Sequence, residues 1–379
     1  MQDLLIINAR AVLAGEIRPA ALWLADGKIK QIFTDEQALP AVPVLDAQGA
    51  LAVPGFIDLH IHGFAGHGPE NARPEDLLEM SRRLAHYGVS AFCPTLYCAR
   101  PHEMATLLKS LVPALGKETG AQIIGFHLEG PFISPQKPGV MKPQDIIPPQ
   151  LDDMKRLYEA AQGHITNITL APELPGIEPI IDFCLTRGIW VQGGHTNATY
   201  DEFLRGAQQG VKHATHLFNA MSGFNHRAPG AAGAVLLHPE ISCEIIADGV
   251  HVHPDIVGFL RQVKPIENIV AVTDALKPTG LTTGPFTANG EEVILEGGVW
   301  KRKADKVIAG SALTMAKAFK NLVAFGYTPA EAAQLTSTNA ARIIGLQNRG
   351  KIAEGSAADL VLLDEALNLQ TVFISGKVL

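Results

Sequence analysis

The chain is short of charge, of paired cysteines and of long apolar runs, and each shortage removes a class of explanation. Charged residues make up 18% of the 379 and hydrophobic residues 47%, a balance that speaks against extensive disorder. Lysine and arginine number 31 against 38 acidic residues, a net charge of −7 with a pI near 6.1. No Lys/Arg block offers a footprint for a phosphate backbone, so no nucleic-acid partner is expected. No apolar run is long enough to span a bilayer, so no membrane role is expected either. The opening MQDLLIINARAVLAGE lacks the basic leader and cleavable apolar segment of a secretory signal. The four cysteines, Cys93, Cys98, Cys184 and Cys243, form no CxxC pair. They set the expectation of reduced, mostly buried thiols in a cytoplasmic protein.

What is present is an alternation of apolar runs and helical patterns. Strands are expected at 56–62, 90–96, 123–129, 165–171, 189–194, 211–216, 241–247 and 268–274. Between them PEDLLEMSRRLAHYG, PHEMATLLKSLVPALG, LDDMKRLYEAAQG and YDEFLRGAQQG carry helical apolar spacing, several ending in glycine. Continuous apolar strands separated by helices imply parallel strands covered on both faces. Eight such units close into a (β/α)8 barrel of the TIM type, with its active site at the C-terminal strand ends. Both ends of the chain read instead as short β-segments, with hairpin signals at Asp26-Gly27 and Ser375-Gly376. The expected architecture is α/β: residues 1–53 and 346–379 form a small β-sandwich domain, and residues 54–345 form the barrel.

Six residues stand where the strand-like runs end: His60 and His62 in GFIDLHIHG, Glu129 in HLEGP, His195 in GGHTN, His216 in ATHLFNAM, and Asp274 in NIVAVTDA. Imidazole nitrogens and carboxylate oxygens converging from rigid backbone are what a divalent cation needs. Singly, each has a plainer explanation: a packed core histidine, a surface carboxylate or a helix cap. All six at strand termini point to a metal-dependent hydrolase. His60 and His62, two apart in a strand, face the same way and can address one ion.

These segments also carry a resemblance. The β-segment leading into PGFIDLHIHG, the late strand ending in Asp274 and the close GKIAEGSAADLVLLD resemble the amidohydrolase superfamily. Within it, HLEGPF, LAPE, GHTNA, THLFNAM, HRAPG, IIADGVHV, VTDA and AGSALTM together resemble the N-acetylglucosamine-6-phosphate deacetylases, over essentially the whole chain. The resemblance implies a divalent metal, usually zinc, on Glu129, His195 and His216. It implies capacity for a second ion on His60 and His62, with Glu129 able to bridge; one bound ion is the expectation. Three protein ligands leave a position for water, whose pKa a cation lowers towards ~7. Asp274 would take that water's proton and return it to the departing amine.

For the substrate, the resemblance implies sugar-phosphate contacts from Arg227 and His251, with Asn219 and Ala220 beside them. Ile308, Ala309 and Gly310 would contact the sugar from a loop, as would the neighbourhood of Val140. Arginine suits phosphate because its planar fork donates two bonds to one anion. One departure stands out. Relatives often carry a histidine shortly after HLEGP that helps polarise the acetyl carbonyl, and here the comparable position is Met141.

The implied reaction releases acetate from N-acetylglucosamine 6-phosphate, in an enzyme that is a homodimer. The nearest rival is the same reaction on N-acetylgalactosamine 6-phosphate, which differs in one hydroxyl's orientation. Cyclic-amide hydrolases of this superfamily bridge two metals with a carboxylated lysine at the fourth strand end, where Ala171-Pro172-Glu173 offers none. A metal-free interaction module on the same barrel would have lost its ligands, and this chain retains them.

Overall fold

The computed structural model describes residues 3–35 and 38–379; Met1, Gln2, Glu36 and Gln37, inside the segment expected to open the small domain, lie outside the described residues. Eight barrel strands follow in chain order: β1 (Phe56–Ile61), β2 (Val89–Leu96), β3 (Phe126–Glu129), β4 (Ile165–Leu170), β5 (Trp190–Gly193), β6 (His213–Ala214), β7 (Ser242–Ile246) and β8 (Ile269–Val272). Each pairs in parallel with the next. Between β8 and β1 the ring closes through the Asp274 amide, which donates to the His60 carbonyl at 2.9 Å, and an Ile61–Ala275 bridge. Closure therefore brings the first and last candidate site segments together.

A helix follows every strand, and the helices cover the barrel. Helix 200–209 shows how local sequence sets its limits: Thr199 and Glu202 form a capping box, and Gly210 ends it in the left-handed conformation. Helix 230–237 was not legible from periodicity. Its sequence GAAGAVLL has no polar face, and its residues 230–235 are buried.

The terminal strands form one sheet in the order 377–378, 369–374, 360–363, 51–54, 4–13, 16–25 and 28–33, with 44–46 beside 4–13. Asp26-Gly27 and Ser375-Gly376 turn its hairpins with positive φ at both residues, as the sequence signals. The sheet curls back so that Lys28 bridges Ala357, and its two wings enclose Ile6, Leu22, Leu24, Ile29, Leu360 and Phe373.

An antiparallel insertion between β8 and the following helix was not foreseen. Its strands, 286–288, 291–296, 299–302 and 308–311, form a four-stranded sheet. The 308–310 segment, expected as a loop, is the last of these strands. Glu70 holds the insertion down by accepting the Asn289 amide at 2.7 Å, and Trp300 donates to Thr279 at 3.0 Å.

Candidate active site

His60 lies on β1, His62 directly after it, and Glu129 ends β3. His195, His216 and Asp274 each stand two residues beyond β5, β6 and β8. Those last three have φ of 45°, 27° and 49°, a left-handed conformation that costs energy in any residue with a side chain and concentrates at functional sites. The strands end and the chain turns sharply, so the side chains swing inward over the barrel mouth.

The six side chains meet around Glu129. Its Oε1 lies 3.1 Å from His195 Nε2 and 3.0 Å from His216 Nε2, and 3.4 Å from His60 Nε2. Its Oε2 lies 3.1 Å from His62 Nε2. Asp274 Oδ1 completes the ring at 3.5 Å from His60 Nε2 and 3.4 Å from His62 Nε2. Two clusters of ligand-grade atoms result, Glu129–His195–His216 and His60–His62–Asp274, each with its donor atoms within 4.8 Å of one another.

The donor set fits a divalent cation. His60 Nε2 is buried without a hydrogen bond, although two carboxylates face it. The other ring nitrogens of two ligands are held by acceptors: His195 Nδ1 donates to the Lys137 carbonyl at 2.9 Å and His60 Nδ1 to Glu244 at 3.0 Å. That arrangement leaves each Nε2 lone pair aimed at the centre, the orientation of a metal-ligating imidazole.

Electrostatics point the same way. Burial raises the Glu129 carboxyl, but His60, His195 and His216 outweigh it and hold it well below the usual carboxylate range. Burial likewise opposes ionisation of Asp274, and His60 and His62 overcome it, so Asp274 stays a carboxylate. Conversely, His60 resists charge through burial, yet Glu129, Glu244 and Asp274 pull it well towards the protonated form. A site with this much negative potential binds a proton or a metal at the same nitrogen atoms.

Above the clusters opens a cavity of about 330 Å³ lined by Val140, Met141, Asn219, Ala220, His251 and the 308–310 strand, among others. Every candidate substrate contact except Arg227 lines it. Arg227 sits exposed in the loop before helix 230–237 and does not line this cavity. His251 is buried against Asp248, 2.6 Å away; burial disfavours its charge, but the aspartate raises its pKa above the ordinary histidine value. Met141, the departure noted after HLEGP, is buried with Tyr97 and Trp300, which makes that wall of the cavity apolar.

The loop before Met141 depends on Gly139. Its φ is +57°, and a Cβ there would meet His195 Cε1 at 3.0 Å. His127 is bonded between Thr95 and Thr169, at 3.1 and 2.8 Å, with its ring centroid 4.6 Å from that of His60. His226, in the HRAPG segment, is exposed.

Two contributors escaped sequence reasoning. Tyr97, just past β2, stacks on His62 with centroids 3.8 Å apart and planes at 4°. Glu244, inside the apolar run ISCEII, is fully buried beneath His60. The signal for Glu244 was available: a carboxylate in the middle of a buried strand needs a buried partner. Tyr97 had no such mark, because aromatic residues near strand ends are ordinary.

Residues 51–379 match the amidohydrolase family. The chain is 31% identical to an N-acetylglucosamine-6-phosphate deacetylase of Lysinibacillus sphaericus, over 100% of this chain and 97% of that protein. It is 33% identical to an N-acetylgalactosamine-6-phosphate deacetylase of Escherichia coli O157:H7, over 98% of each. Among solved structures, an N-acetylglucosamine-6-phosphate deacetylase from Pasteurella multocida superposes with a TM-score of 0.93 at 30% identity, covering 99% of each chain.

Proposed function

This chain belongs to the amidohydrolase family, and from that premise we propose that it hydrolyses N-acetylglucosamine 6-phosphate to acetate and glucosamine 6-phosphate. The observation that carries the reading is the meeting of Glu129, His195, His216 and Asp274 beneath a cavity of sugar-phosphate size.

Glu129, His195 and His216 would hold the catalytic cation, with zinc favoured by the nitrogen-and-carboxylate donor set. When bound, the cation supplies Lewis acidity and a lowered pKa for water beside it. Asp274, kept ionised, accepts the proton of the attacking water. It then delivers that proton to the amine nitrogen, which is a very poor leaving group as an anion. His60 and His62, with Glu129 shared between the clusters, would hold a second cation.

His251, Asn219 and Ala220 would hold the sugar phosphate, and Val140 with Ile308, Ala309 and Gly310 would enclose the sugar. The positive tendency of His251 favours the phosphate end. Arg227 enters this reading through the resemblance; it reaches the phosphate through inward movement of its loop or from a second copy of the chain. A homodimer agrees with the large apolar side chains exposed nearby, Phe224, Leu237, Ile256 and Phe259. Four free, buried cysteines agree with a cytoplasmic location, and no described helix is long and apolar enough to cross a membrane.

The relative that acts on the galacto epimer, as similar as those named for the gluco epimer, makes N-acetylgalactosamine 6-phosphate the second reading. Acetate release from both sugar phosphates decides between them. A higher kcat/KM on the gluco substrate supports the proposal, and a higher value on the galacto substrate replaces it. No release from either would refute both.

A further inference from the structure

Beneath the mouth, the barrel interior is wired by polar side chains that converge on one carboxylate. Glu244, on β7, is wholly buried. Its Oε2 lies 3.0 Å from His60 Nδ1 and accepts the backbone amide of His216 at 3.1 Å. Its Oε1 accepts from Gln192 Nε2 at 2.8 Å, and Gln192 Oε1 in turn accepts from Asn167 Nδ2 at 3.1 Å. The carboxylate is thus held on both oxygens by groups from three other strands or strand ends.

An ionised carboxylate only accepts, so the His60–Glu244 contact requires the imidazole proton on Nδ1. In the neutral ring the lone pair then lies on Nε2, which points at Glu129 and Asp274 and makes no hydrogen bond. A lone pair and two carboxylates facing one another repel unless a cation lies among them. The His127 ring, edge-on at 4.6 Å, packs against His60 and leaves it little freedom to turn away.

We infer that Glu244 is the positioning residue that fixes the tautomer and direction of His60 and so makes the His60–His62–Asp274 cluster competent for a cation of its own. The inference rests on the reading above that His60 and His62 take a second ion. Sequence offered no motif for this role, because β7 supplies no metal ligand.

The test is a zinc titration of the metal-stripped full-length protein against a competing chromophoric chelator. Wild type is expected to take two equivalents per chain. Glu244→Gln keeps the shape but not the charge, and should weaken the second equivalent by roughly 10- to 100-fold while leaving the first unchanged. In a His60→Asn background, which lacks the second equivalent already, Glu244→Gln should change nothing further. Two equivalents of unaltered affinity in Glu244→Gln would overturn the inference while leaving the two-cation reading intact. A single equivalent in wild type would overturn that reading, and the inference with it. Should the variant not fold, ¹⁵N NMR of histidine-labelled, zinc-loaded wild type decides: a proton on His60 Nδ1 supports the role, and a proton on Nε2 refutes it.

Discussion

The terminal sheet and the barrel are both sheets closed around an interior, but the two interiors are built from different chemistry. The sheet encloses aliphatic and aromatic side chains such as Leu22, Leu24, Ile29 and Phe373. The barrel axis carries Asp58, His60, His127, Thr169, Gln192, His213 and Glu244, all fully buried. Among the described residues, the buried side-chain nitrogen and oxygen atoms without a hydrogen bond include His60 Nε2, His213 Nε2 and His216 Nδ1 in the barrel, and none in the terminal sheet. An apolar interior holds itself by exclusion of water and tolerates local error. A polar one must satisfy each group or lose stability. The barrel accepts that cost because a network of fixed hydrogen bonds aims ligands, which apolar packing does less strictly. Activity should therefore be lost through the residues at the barrel mouth with little loss of fold, and fold through sheet residues with little loss of activity.

The largest effect expected on the activity side is Asp274→Asn. The amide keeps the shape but cannot accept and return a proton, so kcat should fall by roughly 10²- to 10⁴-fold, with the melting midpoint near that of wild type. Steady-state kinetics beside a thermal melt check both halves. Normal turnover would move the base elsewhere.

Leu22→Ala is its counterpart in the sheet. Truncating this fully buried side chain should cost about 2–5 kcal/mol of stability, measured by urea unfolding, with kcat/KM unchanged below the melting range. A parallel loss of kcat/KM would break the comparison, because the sheet would then be coupled to the site.

Acid should separate the regions as well. Burial holds His213, on β6, down to about 4 from its ordinary 6.5. The unfolded chain takes up this proton below about pH 6.5 while the folded chain does not, so stability falls as pH drops from there towards 4. The fall amounts to roughly 3 kcal/mol in all. His213→Asn should lose less stability than wild type between pH 7 and pH 4.5 in denaturant titrations. Equal losses in both proteins would assign the acid sensitivity to other groups.

The smallest effect lies outside both interiors. Arg227→Ala should reduce the preference for phosphorylated over free N-acetylated sugar by at least about tenfold in kcat/KM, the worth of a charge-assisted contact of roughly 1.5–3 kcal/mol. Equal loss on both sugars would make Arg227 a structural residue of its exposed loop.

The contrast also explains what the sequence disclosed. The barrel strands were legible because burial on both faces makes them continuous apolar runs, and His60, Glu129, His195, His216 and Asp274 because each breaks such a run at its end. The terminal hairpins were legible because Asp26-Gly27 and Ser375-Gly376 suit left-handed turns. Glu244 was passed over because it lies within a run instead of at its end, and its partner His60 is 184 positions away. The insertion was missed because its strands alternate weakly and expose residues such as Leu295. Arg227 entered through the HRAPG resemblance, and no local pattern sets where its exposed loop places it.

The central claim is that the ring of imidazoles and carboxylates around Glu129 works by holding a divalent cation for deacetylation. It is tested most directly by acetate release from N-acetylglucosamine 6-phosphate before and after chelation, with elemental analysis of the same samples. The account predicts that activity falls with the metal content and returns when zinc or another divalent ion is restored. Undiminished acetate release from protein shown to contain no metal would contradict it.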